Sequence, residues 1–113
     1  MNIDNVLNQL IEKLKAANPY KIILFGSYAK GTAASDSDID LIVILDNYYI
    51  SRDYKDEVKR YIAVRKLILD INRNHAMDLK VYSKAEFNMK KRNGNFFIQE
   101  IEKTGKTIYE KWN

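Results

Sequence analysis

The sequence predicts a single α/β domain, a small mixed β-sheet packed by helices, spanning residues 1–113. Three observations predict it. Short apolar runs of strand length alternate with segments of helical period. One of those runs, Ile-Asp-Leu-Ile-Val-Ile-Leu at 39–45, is almost wholly apolar. A long helical segment then separates two strand patterns, a crossover that makes those strands parallel if they are neighbours.

Composition leaves room for this and little else. A chain of 113 residues holds one modest core. Apolar content of 46% and charged content of 30% are ordinary for a globular chain. With no cysteine, disulfides and zinc–thiolate sites are excluded. That lack suits a reducing compartment. The first residues carry no positive charge ahead of an apolar run, as a signal peptide would, and no apolar run is long enough to span a bilayer. A cytoplasmic protein is expected. The net charge of +4 would help to attract nucleotides or RNA, but lysine-rich proteins often carry as much, so nucleic acid stays open as a partner.

Ile3, Val6, Leu7, Leu10, Ile11 and Leu14 follow the i, i+3, i+4, i+7 template, which predicts an amphipathic helix over 4–17. Asp4 in its first turn and Lys13 and Lys15 near its end suit the helix dipole. Asn18-Pro19 stops it. Residues 21–25 form the first strand, and 39–45 the second, closed by Asp46-Asn47. Tyr48, Tyr49 and Ile50 read as a short exposed aromatic patch or a strand extension, with ordinary packing favoured over stacking on a base.

Ser51 or Asp53 caps a long helix predicted to reach residue 72. Tyr54, Val58, Tyr61, Ile62, Ile68 and Ile71 supply its apolar face, widened by Val64 and Leu67. Its lysines and arginines read as a solvated face, and His75 beyond it as a surface residue. Met77 to Tyr82 alternates as a third strand, with Asp78, Lys80 and Tyr82 on one side. Ser83 and Glu86 form a capping box for a helix to about residue 92. Asn93-Gly94 breaks that helix, Phe96 to Ile101 begins another, Gly105 closes it as a C-terminal glycine, and 107–109 is a last short strand.

The chemistry concentrates in residues 26–43, GSYAKGTAASDSDIDLIV. Asp38 and Asp40 share one face of a strand, roughly 7 Å apart at their Cα atoms. Two carboxylates on one face repel, and a divalent cation between them removes the conflict. Magnesium takes one or two carboxylates and completes its shell with phosphate oxygens and water. Gly26 lets the chain turn sharply or approach a ligand. Ser27 opens a short helix whose amides and hydroxyl favour a phosphate, and Gly31 ends that helix. The bland alternative is a solvated Ser/Asp-rich hairpin loop. Asp78 opens the third strand at the same end of the sheet, if strands two and three are parallel neighbours.

Gly-Ser, ten residues, then Asp-x-Asp, with apolar strands on both sides, resembles the DNA polymerase beta-like nucleotidyltransferase superfamily. The short chain is similar to its minimal nucleotidyltransferase branch, the MntA-like antitoxins of HEPN/MNT toxin–antitoxin systems. The order of capped helix, Asn-Gly break, aromatic-led helix and glycine extends the resemblance over most of the chain. It implies the polymerase beta-like fold and transfer of a nucleoside monophosphate, AMP from ATP, to a hydroxyl. It implies a two-metal magnesium site in which Asp38 and Asp40 bridge both ions and Asp78 completes the attacking side, while Gly26 and Ser27 hold the triphosphate. For this branch it implies a HEPN-domain RNase toxin as partner, silenced on a tyrosine. A chain this short has little surface for an acceptor pocket, so work within a homo- or hetero-oligomer is expected. Two rivals stand beside this reading: a binding module that neutralises a partner by docking alone, and nucleotidylation of a small molecule.

Overall fold

In the computed structural model, which describes residues 2–112, four strands form one mixed sheet in the order β3-β2-β1-β4. The strands are β1 (Pro19–Phe25), β2 (Ile39–Leu45), β3 (Met77–Ser83) and β4 (Lys106–Glu110). β1 runs antiparallel to both β2 and β4, whereas β2 and β3 are parallel, as the crossover requires. The helices are α1 (Ile3–Leu14), α2 (Gly26–Lys30), α3 (Tyr54–Lys66), α4 (Leu69–Asn72), α5 (Lys84–Arg92) and α6 (Phe96–Thr104). None among the described residues is long and apolar enough to cross a membrane.

The apolar run of β2 has a plain cause: the strand is covered on both faces. Ile39, Leu41, Val43 and Leu45 join Leu10 and Leu14 of α1 with Val64, Ile68 and Ile71 in one core. Ile42 and Ile44 join Ile23 and Phe25 of β1 with Phe87 of α5 and Ile98 and Ile101 of α6 in a second. A strand so placed has no solvated side and loses its alternation.

Local signals set most boundaries. The Asn2 side chain accepts hydrogen bonds from the Asp4 and Asn5 amides to open α1. The last turn tightens into a 3-10 turn at Lys15–Ala17, and Asn18 turns left-handed at φ 54°. The Ser83–Glu86 capping box is formed. Gly105 closes α6 differently from the expected left-handed cap, at φ −75°. A Cβ there would lie 2.6 Å from the Ile101 carbonyl oxygen and 2.9 Å from Ile23 Cγ2, so the glycine permits close packing of α6 on β1.

The long helix expected to reach residue 72 is two helices. The chain tightens at Leu67 and Ile68, whose amides donate three residues back to Val64 and Arg65, and α4 restarts at Leu69. This aims Ile68 and Ile71 into the core, where both are buried. The expected apolar face of the first half is not used: Tyr54 is 80% exposed, and Tyr61 and Ile62 are exposed as well. That half runs beside the edge strand, where Arg60 makes the contact, donating to the Val81 carbonyl at 3.1 Å and pairing with Glu86 at 2.8 Å. Tyr48, Tyr49 and Ile50 form the exposed patch and not a strand extension, since β2 ends at Leu45 and all three side chains are exposed.

Candidate active site

The antiparallel turn from β1 to β2 brings the end of one strand beside the start of the other. Phe25 lies opposite Asp40, so Gly26 follows directly beside that carboxylate. Parallel pairing then sets Asp40 opposite Asp78. One end of the sheet therefore gathers Gly26, Ser27, Asp38, Asp40 and Asp78. Asp38 lies in the loop one residue ahead of β2 and is exposed, as Asp78 is; Asp40 is half-buried. The Ile39 amide donates to the Ala76 carbonyl at 2.9 Å, which ties the approaches to the two parallel strands together.

Any other residue at Gly26 would be strained. Its φ is +72°, and a Cβ built on it would overlap the Asp40 carboxylate, lying 3.0 Å from Asp40 Cγ. The backbone must pass against the carboxylate for the turn to close. Helix α2 spans five residues, with Ser27 in its first turn. The Ser27 carbonyl accepts from the amides of Gly31 and Thr32. Gly31 is left-handed at φ 76° in open space.

Electrostatics separate Asp40 from its neighbours. Burial holds its carboxyl above the ordinary carboxylate value, and the charges of Asp78 and Asp38 push the same way, against the pull of Lys80. Lys80 received no role from sequence reasoning, although its position two residues after Asp78 puts it on the same strand face. Its ammonium lies 3.7 Å from Asp78 Oδ1 and 5.4 Å from the centroid of the Phe97 ring. Phe97 packs edge-to-face on Phe25 with centroids 5.4 Å apart. Nothing in the local sequence around Phe97 could have signalled this; only the return of α6 over the sheet brings it here.

Three carboxylates offer hard oxygen donors suited to a magnesium-class ion. Among the described residues, no three His, Cys, Asp or Glu side chains converge closely enough to form a metal cage by themselves. The donor set fits an ion that arrives with oxygen ligands of its own. The excess negative charge at Asp40 is what such an ion would offset.

Comparisons with known proteins place the chain among relatives. Residues 3–101 match the family model described as nucleotidyltransferase domain. MJ1305 of Methanocaldococcus jannaschii, a protein adenylyltransferase by name, is 29% identical over 114 residues, covering 98% of this chain and 74% of its own. A crystal structure from Sulfolobus solfataricus, a nucleotidyltransferase by name, superposes with a TM-score of 0.63 at 15% identity, over 96% of this chain and 81% of that one. A toxin–antitoxin structure with AMP-PNP superposes at 0.53 with 22% identity, over 91% of this chain and 72% of that one.

Proposed function

The chain belongs to the nucleotidyltransferase domain family, and from that premise we propose that it moves AMP from ATP to a tyrosine hydroxyl of a partner HEPN-domain RNase toxin, and so acts as its antitoxin. The observation that carries this reading is the pairing of Asp40 with Asp78 across parallel strands, beside the close approach of Gly26. The relative with a protein adenylyltransferase name and the toxin–antitoxin fold neighbour with AMP-PNP support the donor and the kind of partner.

The roles follow from position. Asp38, Asp40 and Asp78 would hold divalent cations, magnesium in the cell. When bound, those ions supply the charge that neutralises phosphate oxygens in an in-line displacement. Ser27 and the backbone amides after Gly26 bind the β- and γ-phosphates. Asp78, the more exposed carboxylate of the facing pair, takes the proton of the acceptor hydroxyl. The acceptor oxygen forms a bond to the α-phosphorus, the bond to the bridging oxygen breaks, and pyrophosphate leaves. Positioning and charge neutralisation do most of the work in phosphoryl chemistry, so a small domain suffices.

The test is label transfer. The chain is mixed with magnesium, α-labelled ATP and either host lysate or a purified HEPN partner. A labelled band that disappears with Asp38→Ala plus Asp40→Ala supports the reading. No mass gain on the partner in the wild-type reaction counts against it. One observation favours a second reading, neutralisation by docking: Tyr54, Val58, Tyr61 and Ile62 form an apolar stripe on α3 that no other element among the described residues covers fully. Neutralisation that survives the double substitution would favour docking.

A further inference from the structure

Three carboxylates gather at one sheet end, and one of them, Asp78, pairs with an ammonium. Among the described residues, Lys80 is the only cation within ion-pair distance of Asp38, Asp40 or Asp78. It has two independent anchors, the Asp78 carboxylate at 3.7 Å and the face of Phe97 at 5.4 Å. Phe97 is fixed in turn against Phe25, the residue that leads into Gly26. The lysine is thus held inside the site rather than trailing into solvent. The pair is loose, with the two side chains 48% and 35% exposed, so the ammonium is exchangeable.

We propose that Lys80 is a resident counter-ion, which holds Asp78 until nucleotide arrives and then passes to a phosphate oxygen, freeing Asp78 for a divalent cation. The inference rests on the nucleotidyltransferase reading above and deepens it. An ammonium on Asp78 competes with a metal for that carboxylate. A phosphate that draws the ammonium away removes the competition. Nucleotide and metal then strengthen each other's binding, and by linkage the effect is equal in both directions. The cation–π contact keeps the ammonium near the site during the exchange.

The experiment is binding, without an acceptor and without turnover. Mn2+ alone, and a non-hydrolysable ATP analogue alone in EDTA, are titrated calorimetrically into the full wild-type chain, Lys80→Gln and Lys80→Arg. Removing the ammonium should tighten Mn2+ binding by about threefold, the size of a half-exposed ion pair, and should weaken metal-free nucleotide binding by a similar factor. Lys80→Arg, which keeps the charge, should stay near wild type in both. A lysine with a merely structural role would weaken both ligands together. Unchanged or weaker Mn2+ binding in Lys80→Gln overturns the inference, as does an arginine variant that behaves like glutamine. A wild-type chain that binds Mn2+ but no nucleotide, with or without metal, overturns both this inference and the nucleotidyltransferase reading. Normal binding in the wild type with no change in Lys80→Gln overturns the Lys80 inference alone.

Discussion

Strand β2 begins and ends beside aspartates, and the two ends are neutralised in opposite ways. At its start, Asp78 alone pairs with an ammonium, that of Lys80, and the carboxyl of Asp40 is held above its ordinary value, first by burial and then by its acidic neighbours. At its end, Asp46 alone receives two ammonium groups, Lys111 at 2.7 Å and Lys84 at 3.3 Å, and its carboxyl is lowered, chiefly by the hydrogen bond from Lys111. Lys84 is also anchored over Tyr20 at 4.4 Å, and Lys111 bonds the side chain of Asn18. One end is a finished clamp that joins β4, α5 and the turn before β1. The other is short of positive charge. Perturbed carboxylates that lack compensation mark functional sites more often than structural ones, and here the same strand supplies its own control.

The largest expected effect breaks the comparison at its first end. Asp40→Asn keeps the shape of the side chain and removes its charge. Transfer of label from ATP should fall by at least about a hundredfold to a thousandfold, the range seen when a group stabilising transition-state charge is lost. Asp46→Asn should leave transfer within about twofold of wild type, because it lies at the far end of the strand; an equal loss in both would sink the assignment of the site to one end.

A glycine pair sharpens the same contrast at the backbone. Gly26 and Gly31 are both left-handed, at φ 72° and 76°, but only Gly26 faces a carboxylate. Alanine at either position should cost about 1–2 kcal/mol of stability from the backbone alone, measured by denaturant unfolding. Gly26→Ala must also displace Asp40, and a displacement near 1 Å at a reacting group can cost about a hundredfold in rate. Gly31→Ala should keep its transfer rate. Equal transfer rates in the two variants would show that the close approach to Asp40 has no functional weight.

The next test concerns protons. Because Asp40 has a folded pKa above its unfolded one, the folded chain holds this proton more tightly than the unfolded chain does. The stability that proton contributes is complete below the unfolded pKa and is lost as pH rises through the folded value. At neutral pH in EDTA, Asp40→Asn should therefore have a higher Tm than wild type, and the gain should vanish near pH 3, below the ordinary carboxylate range of about 4. Addition of Mn2+ should raise the Tm of wild type, by mass action on the folded state, and raise that of Asp40→Asn less. A variant that melts below wild type at neutral pH would mean that Asp40 is structural.

Much of this geometry could be read from the residues. The period of 3.6 in α1, the Ser83–Glu86 box and the alternation in β3 are local patterns, and each appears in the structure where the pattern put it. The facing of Asp40 and Asp78 was also accessible, since it follows from a crossover between two recognisable strands. What stayed hidden depends on contacts distant in the chain. Strand alternation places Lys80 on the face of Asp78, but its contact with Phe97, seventeen residues on, depends on the return of α6 over the sheet. The first half of α3 carries a helical apolar stripe, shorter and less apolar than that of α1, and it lies along the edge strand instead of over the core. Periodicity tells which side chains share a face. It does not tell whether the fold has a surface left to cover that face.

The smallest expected effect lies at the far end, and its sign is the opposite one. Asp46 has a folded pKa below its unfolded value, so its contribution to stability is present above the unfolded pKa and is lost as pH falls through the folded one. Asp46→Asn should thus melt slightly below wild type at neutral pH and converge on it near pH 3, below the carboxylate range of about 4. The deficit should be small, because the asparagine oxygen can still accept a hydrogen bond from Lys111 or Lys84, and it should shrink further in high salt. Thermal melts of wild type, Asp40→Asn and Asp46→Asn across pH then read both ends of one strand together. Asparagine should raise the Tm where charge is uncompensated and lower it where charge is clamped. Two shifts of the same sign at neutral pH would mean that the difference between the two ends is not one of charge compensation, and the reading of the strand's start as a cation-seeking site would lose its electrostatic basis.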